Sequence, residues 1–93
     1  MRYAKFGNTD MVVSEIALGT WGIGGASWGD NSEDTRLDAI RSAVESGINF
    51  IDTAPAYNGG VAERYIGKVL KDMGVRKDMI ITTKCGTEFI NGT

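Results

Sequence analysis

Three short apolar segments at a regular spacing constrain the fold of this chain more than any other feature. They begin at Ile16, Ile48 and Met79, so about thirty residues separate each start from the next. The first two are each followed by residues with the apolar period of a helix. Strands that alternate with helices at this spacing form βαβ units, with parallel strands covered by helices. The sequence therefore predicts an α/β fold built on a parallel sheet.

Glycines and turn residues indicate where the elements begin and end. Gly47 and Gly74 follow the two periodic segments, where glycine commonly ends a helix. Alternating residues on both sides of a Gly-Asn-Thr-Asp turn indicate a hairpin before the first strand. We predict a hairpin over 2–13, strands near 16–19, 48–52 and 79–84, and helices near 33–46 and 61–73.

The predicted helices and hairpin are too few to bury both faces of the predicted parallel sheet. Parallel sheets are buried on both faces, and a closed barrel of eight βα units takes about 250 residues. The chain has 93 residues. We therefore expect the N-terminal portion of a (β/α)8 TIM barrel, preceded by a β-hairpin and truncated after the third strand. The remainder of the same polypeptide would be needed to complete the barrel. A complete small three-stranded α/β module is the alternative.

Composition excludes several classes of partner. The 10 Lys and Arg residues nearly balance the 12 Asp and Glu residues and form no basic run, so no nucleic-acid partner is expected. No segment has the length and apolarity of a membrane span, and the first residues lack a signal-peptide pattern. The single cysteine, Cys85, has no internal disulfide partner, and we expect a packed, inert thiol. Together these features predict a cytoplasmic protein.

The absence of histidine restricts the chemistry further. It excludes the common histidine-containing zinc sites and the histidine-dependent nucleophiles, and no metal site is predicted. Any proton transfer by these residues must use a carboxylate, a lysine, a tyrosine or the cysteine.

Three candidates for proton transfer lie where predicted strands end. Asp52 ends the second strand, Tyr57 lies in the loop that follows, and Lys84 ends the third strand. Ligands gather at the carboxyl ends of parallel strands, so these side chains are expected to meet there. Asp52 would keep Lys84 charged, and the ammonium would lower the pKa of Tyr57 from the value of about 10 of a free phenol. The tyrosine could then donate a proton to a carbonyl oxygen while a hydride reaches the carbon.

Each of these residues also has an ordinary structural explanation. An aspartate after a strand often fixes a turn, a lysine there is usually a solvated residue that limits aggregation, and a loop tyrosine often packs. Glu63, at the start of the second helix, is explained by the helix dipole or a local ion pair. Only the joint placement of Asp52, Tyr57 and Lys84 favours the catalytic interpretation.

The glycine-rich segment after the first strand does not match a nucleotide-binding fingerprint. Residues 22–27 read GIGGAS, so Ser27 stands where G-x-G-x-x-G requires its last glycine. Trp21 and Trp28 flank this stretch. They are candidates for the wall of an apolar substrate pocket, and the alternative is that they only close the mouth of the barrel.

Three motifs in one order resemble those of the aldo-keto reductases. They are LGTW at 18–21, GINFIDTAPAYNGGVAERYIGKVLK at 47–71 and IITTKCG at 80–86. The resemblance implies a (β/α)8 barrel with a floor closed by the hairpin, and reduction of aldehydes and ketones with NADPH. It further implies that Tyr57 is the proton donor, Lys84 the lysine that lowers its pKa, and Asp52 the carboxylate partner of that lysine.

The same resemblance implies the surroundings of the site. Gly19, Thr20, Trp21 and Asp52 would bind the cofactor, NADPH or NADP+, and Trp21, Trp28 and Tyr57 would contact a small carbonyl substrate. A fourth catalytic residue, a histidine after a fourth strand, and most cofactor contacts would lie beyond residue 93. The 93 residues alone are therefore expected to be inactive. A regulatory subunit on the same barrel, or a small interaction module, remains open on the sequence alone.

Overall fold

The computed structural model describes residues 1–21, 33–55 and 59–86. Within those ranges a hairpin is followed by strands that alternate with helices. The strands are β1 (Tyr3–Lys5), β2 (Val12–Ser14), β3 (Leu18–Gly19), β4 (Phe50–Asp52) and β5 (Ile80–Thr82). The helices are α1 (Glu33–Glu45) and α2 (Val61–Met73), and a short 3-10 turn (Arg76–Asp78) precedes β5.

β3, β4 and β5 form a parallel sheet with β4 in the centre. In its register Asp52 lies between Gly19 on one neighbouring strand and Thr82 on the other. The predicted α/β fold with parallel strands is confirmed. Because the strands run the same way, residues at their carboxyl ends share one edge of the sheet.

The first strand of the sheet begins later than the predicted 16–19. It starts at Leu18, while Ile16 lies in a bend and is 60% exposed. The physical reason is that β2 continues to Ser14, past the predicted end of the hairpin, so the chain must turn before it can pair with β4. The Ser14 hydroxyl donates to the Ile16 carbonyl at 2.6 Å within this turn.

One face of the sheet packs against both helices. Ile51 in β4 is fully buried there. Laterally paired residues project to the same side, so Leu18 and Ile81 share this face, and both pack against the core. The buried members of the core are Leu37, Ile40, Ile51, Ile66, Val69, Leu70 and Met79. Asp52, next to Ile51, therefore lies on the face turned away from the helices.

The hairpin is attached at the amino-terminal end of the sheet. The Asn49 side chain accepts a hydrogen bond from the Ser14 amide at 2.7 Å and donates one to the Val12 carbonyl at 2.9 Å. The ring of Phe6 meets that of Phe50 edge-on, with centroids 5.4 Å apart. The hairpin thus covers the start of the sheet face opposite the helices and leaves the carboxyl end to other residues.

The end of α1 also touches the hairpin, and this contact requires a glycine. Gly47 has a φ of 97°, and its carbonyl accepts a hydrogen bond from the Tyr3 hydroxyl at 2.6 Å. A Cβ at this position would lie 2.9 Å from the same hydroxyl.

Neither helix in the described ranges combines the length and the apolarity needed to cross a membrane.

Candidate functional site at the carboxyl end of the sheet

The structure brings Asp52 and Lys84 together. The Lys84 ammonium donates to Asp52 Oδ1 at 3.0 Å and to the Thr53 carbonyl at 2.7 Å. The side chains of Lys84 and Asp52 are 46% and 45% exposed. An ion pair this exposed contributes at most about 1 kcal/mol to stability, so stability alone does not explain the arrangement. Its fixed geometry on an open surface suits a group that acts on a ligand.

The Asp52 backbone is held from both neighbouring strands. Thr20 donates to the Asp52 carbonyl twice, from its hydroxyl at 2.8 Å and from its amide at 3.1 Å. On the other side, the Thr53 amide donates to the Thr82 carbonyl at 2.8 Å. Thr20 is fully buried, and its hydroxyl supports Asp52, a role that the sequence analysis did not assign. Its cofactor contact stays a prediction.

Gly19 borders Asp52 in the register of the sheet, and Trp21 lies two residues further along the chain. Apart from Gly19 itself and its two chain neighbours, no heavy atom of the described residues lies within 4 Å of the position that a Cβ on Gly19 would take. Since Gly19 pairs laterally with Asp52, the missing side chain leaves space directly beside the carboxylate. Trp21 follows Thr20 and is 49% exposed. Gly19 is placed where a ligand at the end of the sheet could touch it, and a ligand contact of Trp21 stays a prediction.

Two predicted site residues, Tyr57 and Trp28, lie outside the described residues. Cys85 is described, and the expectation of a packed thiol is wrong because the side chain is exposed. The reason is that β5 ends at Thr82, so Cys85 lies beyond the part of the strand that packs against the helices.

One contact near the site was missed by the sequence analysis. The Thr83 hydroxyl donates to Glu63 Oε2 at 2.7 Å and so joins the residue before Lys84 to the first turn of α2. The alternation of side chains in β5, continued past its end, is the signal that could have found it, because it would put Thr83 and Lys84 on opposite sides. In the part of the chain that the structure describes, no cluster of His, Cys, Asp and Glu side chains could hold a metal ion.

Comparisons with known proteins agree on one family. A model described as "Aldo/keto reductase family" matches residues 15–92. The chain is similar to aldo-keto reductase YhdN of Bacillus subtilis (strain 168), with 43% identity over 91 residues, which cover 98% of this chain and 28% of that protein. It is also similar to the NADH-specific methylglyoxal reductase of Escherichia coli (strain K12), with 43% identity over 88 residues, 92% of this chain and 27% of that protein.

A solved structure gives the same result for the fold. The holo form of aldo-keto reductase AKR11C1 from Bacillus halodurans matches with a TM-score of 0.84 and 34% sequence identity. The match covers 100% of this chain and 28% of that one. The chain therefore spans a little over a quarter of the length of each of these three proteins.

Proposed function

This chain belongs to the aldo/keto reductase family, and we propose that it supplies Asp52, Tyr57 and Lys84 to the active site of a reductase barrel. The complete enzyme would reduce an aldehyde or ketone to an alcohol. The remainder of the barrel would complete the cofactor site and contribute a fourth catalytic residue, a histidine.

The observation that carries this proposal is the Asp52–Lys84 pair at the carboxyl end of parallel strands. A carboxylate and a backbone carbonyl both accept from the Lys84 ammonium, so its positive charge is stabilised and its position is restrained. A fixed cation near a phenol favours the phenolate and so lowers the pKa of the phenol. Tyr57 lies five residues after Asp52 along the chain, within reach of the same edge.

In the proposed mechanism Tyr57 donates its hydroxyl proton to the carbonyl oxygen of the substrate. Lys84 stabilises the resulting phenolate, and Asp52 holds Lys84 in place and charged. The carbonyl carbon would accept a hydride, which is the chemistry that a nicotinamide cofactor would supply when bound at this end of the sheet. Tyr57 then regains a proton from solvent, so one hydride and one proton are consumed for each alcohol formed.

The open side of Asp52 supports a cofactor at this end of the sheet. Gly19 leaves room beside the carboxylate, and Trp21, two residues after Gly19, is half exposed. We propose that these two residues, with Thr20 and Asp52, border the cofactor, and that Trp21, Trp28 and Tyr57 contact the substrate. We propose NADPH as the cofactor, although the similar Escherichia coli protein is named NADH-specific, so the test compares both.

The test is Tyr57→Phe in the full-length enzyme that carries this segment. This change removes one hydroxyl and keeps the ring, so we expect cofactor affinity to stay unchanged in a fluorescence titration. The turnover number for aldehyde reduction, followed by cofactor absorbance with NADPH and NADH, should fall by about 10²–10⁴-fold, the usual effect of losing a positioned acid.

Tyr65→Phe is the matched control, because Tyr65 lies on α2 and packs against the core on the face of the sheet opposite Asp52. It should leave turnover unchanged. Near-normal turnover in Tyr57→Phe would contradict the proposed role. A wild-type protein that binds the cofactor without turning over any aldehyde or ketone would favour the regulatory-subunit alternative instead.

A further inference from the structure

The sheet by itself does not set the direction of the Lys84 side chain. β5 ends at Thr82, and Lys84 lies two residues beyond this last paired position. A residue past the end of a strand is not restrained by the ladder and can rotate away from the sheet. The placement of the ammonium at Asp52 therefore depends on its own hydrogen bonds to Asp52 and Thr53 and on what fixes the backbone at 83–84.

The residue before Lys84 is anchored on the opposite side of the chain. The Thr83 hydroxyl donates to Glu63 Oε2 at 2.7 Å, toward α2. Successive side chains of an extended segment point to opposite faces. With Thr83 held toward the helix, Lys84 is turned toward the face that carries Asp52.

Glu63 has a fixed backbone position because α2 is packed into the core, while its hydrogen bond with Thr83 is exposed to solvent. It follows Ala62, which is fully buried, and precedes Ile66, which is 2% exposed. The carboxylate lies in the first turn of the helix, where the helix dipole stabilises negative charge. A hydrogen bond to a carboxylate is charge-assisted and stronger than one between neutral groups.

We propose that Glu63 is a positioning residue for the reductase: through Thr83, it holds the Lys84 ammonium at Asp52. This inference rests on the proposed function for its kinetic consequences, while the contact itself can be tested without turnover. Glu63 touches neither substrate nor cofactor in this scheme and acts only through the direction of Lys84.

The kinetic test uses paired variants of the full-length enzyme. Thr83→Val and Glu63→Ala each remove one partner of the hydrogen bond, and each should lower kcat about tenfold, the size of a coupling within one hydrogen-bond network. Cofactor affinity should be unchanged. Thr83→Ser and Glu63→Gln keep a donor and an acceptor and should restore most of the rate. The double variant Glu63→Ala/Thr83→Val should be no slower than the slower single variant, because both act through one contact.

The pH dependence separates positioning from a general loss of structure. If Lys84 leaves its place, the pH above which reduction declines should move upward in Thr83→Val and Glu63→Ala, in the same direction as in Lys84→Met. Asp72→Ala is the matched control, since Asp72 is an acidic residue in the last turns of α2 that pairs with Lys68. It should leave kcat and the pH profile unchanged.

A readout independent of catalysis is the rate at which Lys84 is methylated by formaldehyde and a borohydride reagent, measured by mass spectrometry. We expect Lys84 to react several-fold faster in Thr83→Val and Glu63→Ala than in the wild type, Thr83→Ser and Asp72→Ala. Unchanged Lys84 reactivity in both disrupted variants would overturn the inference, as would an unchanged kcat in an active enzyme. If the full-length protein has no reductase activity but Lys84 is modified faster in the disrupted variants, the positioning contact is supported and only the proposed function is refuted.

Discussion

At the scale of single residues, the contacts of Lys84 distinguish an effect on catalysis from an effect on stability. Its ammonium is shared between a side-chain and a backbone acceptor, yet nearly half of the side chain remains exposed. A lysine that only stabilised the fold would contribute little from such a position. Its effect should therefore appear in chemistry and not in stability, which Lys84→Met can test.

Lys84→Met in the full-length enzyme should slow reduction by raising the pKa of Tyr57 toward the value of about 10 of a free phenol. In the proposed mechanism reduction requires the protonated tyrosine, so the pH above which the rate of reduction declines should move upward. Alcohol oxidation requires the phenolate and should lose most of its rate near neutral pH. The measurement is the pH profile of kcat in both directions.

Two further variants define the role of the lysine. Lys68→Met removes an exposed lysine of α2 and should leave both profiles unchanged. Lys84→Met/Tyr57→Phe should be little slower than Tyr57→Phe alone, because in the proposed mechanism the lysine acts through the tyrosine. An unshifted profile in Lys84→Met would exclude electrostatic control of Tyr57 by this ammonium.

At the scale of elements, the two ends of the parallel strands have different tasks. The carboxyl end carries Asp52 and, just beyond β5, Lys84, while the amino-terminal end is tied to the hairpin through Asn49. Asn49 accepts a hydrogen bond from the amide of Ser14, a residue that is only 2% exposed. Leaving such a buried donor without an acceptor lowers the free energy of unfolding.

Asn49→Ala should therefore lower the free energy of unfolding by about 1–3 kcal/mol, the cost of an unsatisfied buried polar group. Turnover of the full-length enzyme should change little, because the site lies at the other end of β4. Urea denaturation and steady-state kinetics measure the two effects. Asn8→Ala, in the exposed hairpin turn, should change stability by less than about 0.5 kcal/mol. Equal stability in the two variants would show that the Asn49 contacts do not hold the hairpin.

At the scale of the whole molecule, the described elements cover the sheet unevenly. Both helices pack on one face, and the hairpin covers only the start of the other. In the sheet, β3 and β5 pair with β4 alone among the described strands, so each has an edge without a partner there. Val12 and Met1 are 50% and 53% exposed. Parallel sheets with open faces and edges are prone to associate.

The 93-residue polypeptide expressed alone should therefore not behave as a stable monomer. We expect self-association in size-exclusion chromatography with light scattering, and a thermal transition that is broad or depends on concentration. The full-length protein, measured alongside, should unfold cooperatively. A monodisperse 93-residue monomer with a sharp transition independent of concentration would favour the small α/β module.

The order of the elements and the outline of the site were both accessible from the sequence. The spacing of Ile16, Ile48 and Met79 predicted parallel strands, and parallel strands place their carboxyl ends on one edge. Asp52 and Lys84, each at the end of such a strand, were therefore expected together. This inference needs only local patterns and one topological rule, both of which one sequence contains.

Other features depended on the tertiary structure. The contacts of Thr20 with Asp52 and of Thr83 with Glu63 join residues 32 and 20 positions apart. They depend on the register between strands and on how α2 is placed over the sheet. Alternation along a strand assigns its residues to the two faces of the sheet. Only the register between strands determines which residues of other elements they contact. The late start of β3 and the exposure of Cys85 have the same origin, because pairing partners and packed helices determine where a strand begins and which residues it buries.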